Sequence, residues 1–184
     1  MDETIIIEKM KELEENIIKS YKFKDIKKLA LAMSRKKIPG RFRGKNNDTY
    51  ENEYYALLGD SIITTVISEY LHDEFDLETK GEITEYKKPF EENKTFYDIS
   101  VKTGLINYAY NEYHFHGLNL PDHEKVSINM HDSFVEAIVG AIYLDGGFIA
   151  AKEWVLTWLI DKLSSQVNEL KNILNCKKTI EALL

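Results

Sequence analysis

The chain has 184 residues and a formal charge of −7, from 31 acidic against 24 basic residues, and a pI of about 5.3. Its length suits one domain, or one domain with a helical extension, and its 43% hydrophobic and 30% charged content is that of a globular protein in water. The single cysteine, Cys176, excludes an internal disulfide framework and a multi-cysteine zinc site, and the net acidity argues against a nucleic-acid binder, whose domain is ordinarily basic.

The chain opens MDETIIIEKM, with acids ahead of an isoleucine run and no small-residue cleavage site, which does not read as a secretory signal. Ile6, Met10, Leu13 and Ile17 recur at spacings of four and three, predicting an amphipathic helix over 2–20. A second helix is expected over 24–34, ending before the Pro39-Gly40 turn signal. A long helical run follows over 51–72, then a shorter one over 82–88 that Pro89 interrupts. Short helices are expected over 95–102 and 105–113, around Gly104, and a loop over 114–131 with Gly117 and Pro121. Residues 133–144 form a further helix, stopped by Asp145-Gly146-Gly147. Beyond it Trp154, Trp158, Leu163, Val167, Leu170 and Leu174 keep a helical stripe, and residues 180–184 read as an unfinished helix. No segment alternates with period two, so the expected class is all-α. The most apolar stretch, 137–144, is far short of the roughly 20 residues that span a bilayer, and no membrane partner is expected. The lone cysteine and the missing secretory signal point to an intracellular protein, in cytoplasm or nucleus.

The charge is unevenly spread. Between 21 and 47 lie ten basic residues (Lys22, Lys24, Lys27, Lys28, Arg35, Lys36, Lys37, Arg41, Arg43 and Lys45) and one acid, Asp25. This segment carries +9 and leaves −16 on the remainder. A basic stripe on an acidic body is a natural set of phosphate contacts, although a solvated helix face reads the same way.

Two helices place carboxylates beside a glycine. Glu53 and Asp60 are two turns apart on one face, and Gly59 costs about 1 kcal/mol relative to alanine inside a helix. Glu136 and Gly140 lie one turn apart on the later helix. Were the glycines to let the helices cross closely, Asp60 and Glu136 would meet and could hold Mg2+, which binds carboxylates, waters and phosphate oxygens. The competing reading of Ser133-x-x-Glu136 is a capping box.

The segment NEYYALLGDSIITTVISEYL resembles the ribonuclease III family's signature helix, Asn-Glu-Arg-Leu-Glu-Phe-Leu-Gly-Asp. DSFVEAIVGAIYLDGGFIAAKEWV resembles the family's second acidic helix, and Gly81-Glu82-Ile83-Thr84 its intervening Gly-Glu-Leu-Thr turn. The similarity runs from about Tyr21 to Trp158, with all three motifs in order. It implies an all-α endonuclease domain over 21–163, flanked by an N-terminal amphipathic helix (1–20) and a C-terminal helical extension (164–184). It also implies hydrolysis of double-stranded RNA by a homodimer in which each subunit cuts one strand, using two Mg2+ ions (Mn2+ substituting) held by four carboxylates. Carried over by position, Asp60 and Glu136 are metal ligands and catalytic residues, Glu53 is a further catalytic carboxylate and Glu82 a further metal ligand. Leu57 takes the place of the family's interface phenylalanine, with Ile62 beside it. RNA processing or small-RNA production, as in RNA interference, is the implied setting.

The sequence departs from the pattern where it matters. The family's central glutamate falls on Ala56, and the second motif's aspartate falls on Ser133, with Asp132 one residue early. Asp132 near a helix start serves either as a substitute carboxylate or as an N-cap. Two lost outer carboxylates imply a slowed enzyme, since each such loss costs about 10–100-fold. The rival is a catalytically impaired member that binds RNA or acts structurally. A third class, a helical interaction protein, rests on the terminal helices, the C-terminal one being a possible protein-docking element. Many members of the family carry a separate RNA-binding domain, for which this length leaves no room, so RNA binding is expected to be weak and salt-sensitive. His114, His116, His123 and His131 cluster near one loop without a neighbouring cysteine, and surface histidines explain them as well as zinc does. No phosphate-cradling glycine loop is present.

Overall fold

A computed structural model describes residues 2–34, 51–110 and 133–183. Helix α1 (Glu3–Leu13) is capped by Asp2, whose carboxylate accepts the Thr4 N–H at 3.0 Å, and runs on into a π-helical turn, Glu14–Ile18. The wider turn brings both Ile17 and Ile18 to the core, and Lys19 ends it with a positive φ of 56°. Helix α2 (Ile26–Ala32) is capped by Asp25 through the Lys27 N–H at 3.1 Å. Helix α3 (Glu51–Phe75) spans the domain, and α4 (Lys80–Glu91) starts with a capping box between Thr79 and Glu82. After α5 (Asn93–Lys102), Gly104 at φ 75° turns the chain into a 3-10 turn, Leu105–Tyr108.

Helix α6 (Ser133–Trp154) contains the non-helical Gly147 (φ 84°, ψ 178°), so the expected stop at Asp145-Gly146-Gly147 is a kink within a longer run. A π-helical segment, Val155–Leu159, and a short turn, Ile160–Lys162, lead to α7 (Ser164–Glu181). Among the described residues there is no strand, only an isolated bridge between Ser34 and Tyr110. The all-α expectation holds. The helix expected to be interrupted at Pro89 instead continues to Glu91. Proline in a helix interior costs about 3 kcal/mol, but here the next residue, Phe90, is buried and the Pro89 carbonyl accepts the Thr95 hydroxyl at 3.0 Å.

The core forms between α3 and α6, which make the most extensive contact in the molecule. Val66, Ile67 and Leu71 of α3 meet Phe134, Ile138 and Ile142 of α6 in one buried cluster. The N-terminal helix joins the same core through Met10 and Leu13. Trp154 and Trp158 stack at 4.5 Å and donate their indole N–H groups to the Ile18 and Ile17 carbonyls, at 3.2 and 2.7 Å. The run Ser133–Lys162 is long and apolar enough to cross a membrane by composition alone, but 56% of its most apolar window is buried inside the molecule. It reads as a core helix. Helix α7 buries Val167 and Leu170 and leaves Ile173, Cys176 and Ile180 exposed, as is Leu183 just past its end.

Candidate active site

The crossing of α3 and α6 depends on two glycines. A Cβ on Gly59 would fall inside the Glu136 carbonyl oxygen, and one on Gly140 inside the Tyr55 carbonyl oxygen. The helices therefore touch backbone to backbone, and only glycine permits that approach. Asp60 follows Gly59 directly and is exposed, while Glu136, whose own carbonyl meets Gly59, is half-buried. The expected close crossing is present, and it places the two acidic positions on adjacent helices at one contact. Glu53, two turns before Asp60, is also exposed.

Around the contact, the two departures from the acidic pattern are occupied otherwise. Ala56 is buried in a small apolar cluster with Ala32, Tyr55, Ala137 and Ala141. Ser133 accepts a hydrogen bond from the buried Asn52 side chain at 3.4 Å. Burial pushes the Tyr55 phenol up to about 12, with Asp25 and Tyr54 adding to the shift, so it stays protonated at neutral pH. Among the described residues no group of three or more His, Cys, Asp or Glu side chains is placed to hold a metal. Asp60 and Glu136, on the touching helices, are the carboxylates that could hold a Mg2+, whose shell water and phosphate oxygens would complete.

Glu82 is not brought to this pair. It follows the end of α3, and the 15 residues from Asp60 to Phe75 rise about 22 Å along the helix. Its carboxylate accepts the Thr79 hydroxyl at 2.7 Å and pairs with Lys177 at 3.4 Å. The Thr79 hydroxyl foremost, then the Thr79 N–H and Lys177, hold the acid below its ordinary value. The structure thus gives Glu82 a capping role, which the Thr-x-x-Glu spacing already encodes.

Ile62 is likewise corrected: it is 7% exposed and lies in the protein's own core, so it is closed to a partner. Leu57, at 65% exposed, and Tyr54, at 56%, share a helix face one turn apart, and Asp60 lies a further turn along. An apolar patch therefore borders the acidic position.

Of the basic residues, Lys28 is corrected. Its ammonium sits 2.9 Å from Asp145, whose side chain is fully buried, and it serves as that carboxylate's counterion. Asp145 also accepts the Tyr21 hydroxyl at 2.8 Å and the Lys24 and Asp25 N–H groups at 2.7 and 3.1 Å. Burial opposes its charge, but Lys28, the Lys24 N–H, Tyr21 and the Asp25 N–H outweigh it and hold the carboxyl below its ordinary value. Beside two glycines Asp145 reads as part of a helix stop, and nothing local in the sequence discloses partners 117 to 124 residues away. Lys22 and Lys27 are exposed; Lys27 forms a surface pair with Glu3 (3.2 Å), which contributes little. Lys22 pairs at 3.3 Å with the largely buried Glu14, which also accepts the Phe23 N–H at 2.6 Å. Lys24 is exposed. Arg35, Lys36, Lys37, Arg41, Arg43, Lys45 and Asp132, with the four loop histidines, lie outside the described residues.

Residues 42–163 match the family model described as Ribonuclease-III-like. The chain is 26% identical over 180 residues to Ribonuclease 3 of Clostridium beijerinckii, covering 95% of this chain and 71% of that protein. It is 29% identical over 168 residues to Ribonuclease 3 of Treponema denticola, covering 89% of this chain and 63% of that protein. With Ribonuclease 3 of Pseudomonas fluorescens it shares 31% over 144 residues, or 76% of this chain and 55% of the relative. In three dimensions it is similar to the nuclease domain of the Campylobacter jejuni enzyme, with a TM-score of 0.65 and 25% identity. That likeness covers 85% of this chain and 97% of the other, and the Campylobacter domain is described as structurally flexible in a region involved in dimer formation.

Proposed function

Because the chain belongs to the ribonuclease III-like family, we propose that it is a metal-dependent endoribonuclease acting on double-stranded RNA. The observation that carries this reading is the glycine-held crossing, which sets Asp60 and Glu136 on touching helices. In this reading the two carboxylates hold Mg2+, or Mn2+ in its place. The bound ion supplies charge stabilisation for phosphodiester hydrolysis. The chain's own part is to orient the two acids through Gly59 and Gly140 and to seat the RNA backbone on Lys22, Lys24 and Lys27. Such phosphate contacts fix register without reading sequence, consistent with recognition of an A-form duplex by shape. The exposed Tyr54–Leu57 patch is the proposed homodimer face, with each subunit cutting one strand. RNA processing or small-RNA production inside the cell is the setting proposed for it, and helix α7 is a candidate docking element for a protein partner.

A second reading, a family member that binds RNA without cutting it, draws on Ala56 in its apolar cluster and on Ser133 engaged with Asn52. One assay separates the two. Long double-stranded RNA is incubated with the protein in Mg2+, beside Asp60→Asn and Glu136→Gln. Cleavage by the wild type that falls by more than about 100-fold in each variant is expected, exceeding the loss from an outer-shell change. RNA retention without cleavage in Mg2+ or Mn2+ would establish the binding reading instead.

A further inference from the structure

Helix α7 carries two apolar stripes, and the body covers one of them. Val167, Leu170 and the half-buried Leu174 recur at spacings of three and four and pack on the core, with Leu163 just ahead of the helix. Ile173, Cys176, Ile180 and Leu183 repeat at the same spacings, about a third of the way round the helix from the first stripe. They are exposed, Ile173 by 45%, Ile180 by 59% and Leu183 by 81%. Every described side chain from Asn175 to Leu183 is exposed. A short helical end without tertiary cover is marginal in water, because most helical stability in a protein comes from packing an amphipathic face. Helix α7 begins at Ser164, just past the residues 42–163 that match the family model, so the shared nuclease fold does not account for its second stripe.

We infer that this stripe is a homotypic docking surface, closed by the same stripe of a second copy of this chain. The inference rests on the docking role proposed above for α7 and names its occupant. Alternating spacings of three and four make the seam of two helices packed side by side, each side chain entering a hole on the facing helix. Asn172, Ile173, Cys176, Lys177 and Ile180 line an open groove of about 610 Å3, which gives the facing side chains room to enter.

The charge on the rim selects the partner. Asn172 and Thr179 flank the stripe on one side without charge. On the other, Lys177 pairs at 3.4 Å with Glu82 of α4, and the two side chains are 48% and 34% exposed. Lys171 and Lys178 lie on the opposite face of the helix, and Glu169 ends the stripe one turn before Ile173. A strongly charged partner therefore meets no matching charge along this seam. A second copy related by a two-fold axis brings the same neutral stripe, with its own Lys177–Glu82 pair reversed, so the two pairs can alternate in sign. Four seam residues are far fewer than the roughly 20–30 a side of a standard interface, so the pairing is weak.

The chain's sole cysteine lies in the stripe, so its alkylation reports burial there. Intact protein over a range of concentrations is treated with excess iodoacetamide, and the Cys176 rate is followed by mass spectrometry. The rate is expected to be about fourfold lower at ~1 mM than at ~10 µM protein, the protection that mass action gives for a dissociation constant of about 100 µM. Ile180→Lys, checked for folding by circular dichroism, is expected to lose this protection, and Leu57→Lys to keep it. A fast rate that is the same at every concentration would overturn the inference while leaving α7 open to a different protein. A rate slow at every dilution would overturn the docking role as well, because the chain's own residues would then cover the stripe. Protection that survives in folded Ile180→Lys, or disappears in Leu57→Lys, would also overturn the inference, since the contact would then lie on another face.

Discussion

Asp145 shows how one buried charge organises a distant stretch of chain. Its carboxylate gathers Tyr21, the Lys24 and Asp25 amides and Lys28, and so ties the segment before α2 and the first turn of α2 to the kink of α6. Removing one member of such a buried pair leaves the rest uncompensated. Asp145→Ala is therefore expected to cost about 3–5 kcal/mol, read as a lower urea midpoint. The pH dependence has a definite sign. A carboxyl held below its ordinary value contributes stability that is fully present above the unfolded aspartate value of about 3.9 and is lost as pH falls through its depressed folded value. Wild-type stability should thus decline in acid below about pH 4, and Asp145→Asn should show a shallower decline in urea titrations across that range. An unchanged acid slope would deny Asp145 this role.

At the scale of elements, both π-helical segments end up against one another. Glu14–Ile18 turns its Ile17 and Ile18 carbonyls toward Trp158 and Trp154, and Trp158 itself lies in the second π segment, Val155–Leu159. Helix ends leave carbonyls without intrahelical partners, and two indole donors satisfy this pair inside the core. Trp158→Phe keeps most of the ring stack but removes the 2.7 Å bond to Ile17. The stranded buried carbonyl should cost about 1–3 kcal/mol, measurable as a lower thermal midpoint with helical content unchanged. Amphipathic spacing locates α1 well but not its wider last turn, since π geometry arises from where the chain must go next rather than from a residue pattern.

For the whole molecule, the division of apolar residues between core and solvent sets which of them a partner could meet. Ile62 and Leu57 lie five positions apart on α3, yet one is enclosed by the protein's own core and the other is left in solvent. Leu57→Lys is expected to shift the protein toward monomer in sedimentation velocity. Its thermal stability should stay within about 0.5 kcal/mol of wild type, as for other exposed sites. A dimer that persists unchanged would remove the Tyr54–Leu57 face from the proposed interface.

The sequence by itself determined the helical class and the family, because helical periodicity and short motifs are local properties of a chain. It also disclosed the close crossing through Gly59 and Gly140, whose cost inside a helix demands a packing reason. The places of Lys28 and Ile62 became visible only in three dimensions, whereas the capping role of Glu82 is already written in its Thr-x-x-Glu spacing. Lys28 looked like part of a basic stripe until a carboxylate 117 residues away claimed it. Helix α6 is buried on most of its sides, so its sequence has no single apolar stripe to show which face meets which neighbour. Net charge is blind for a related reason: a total of −7 sums over a basic segment carrying +9 and a remainder carrying −16. Which charges face solvent and which pair internally is set by packing between residues far apart in the chain, and only the tertiary structure decides it.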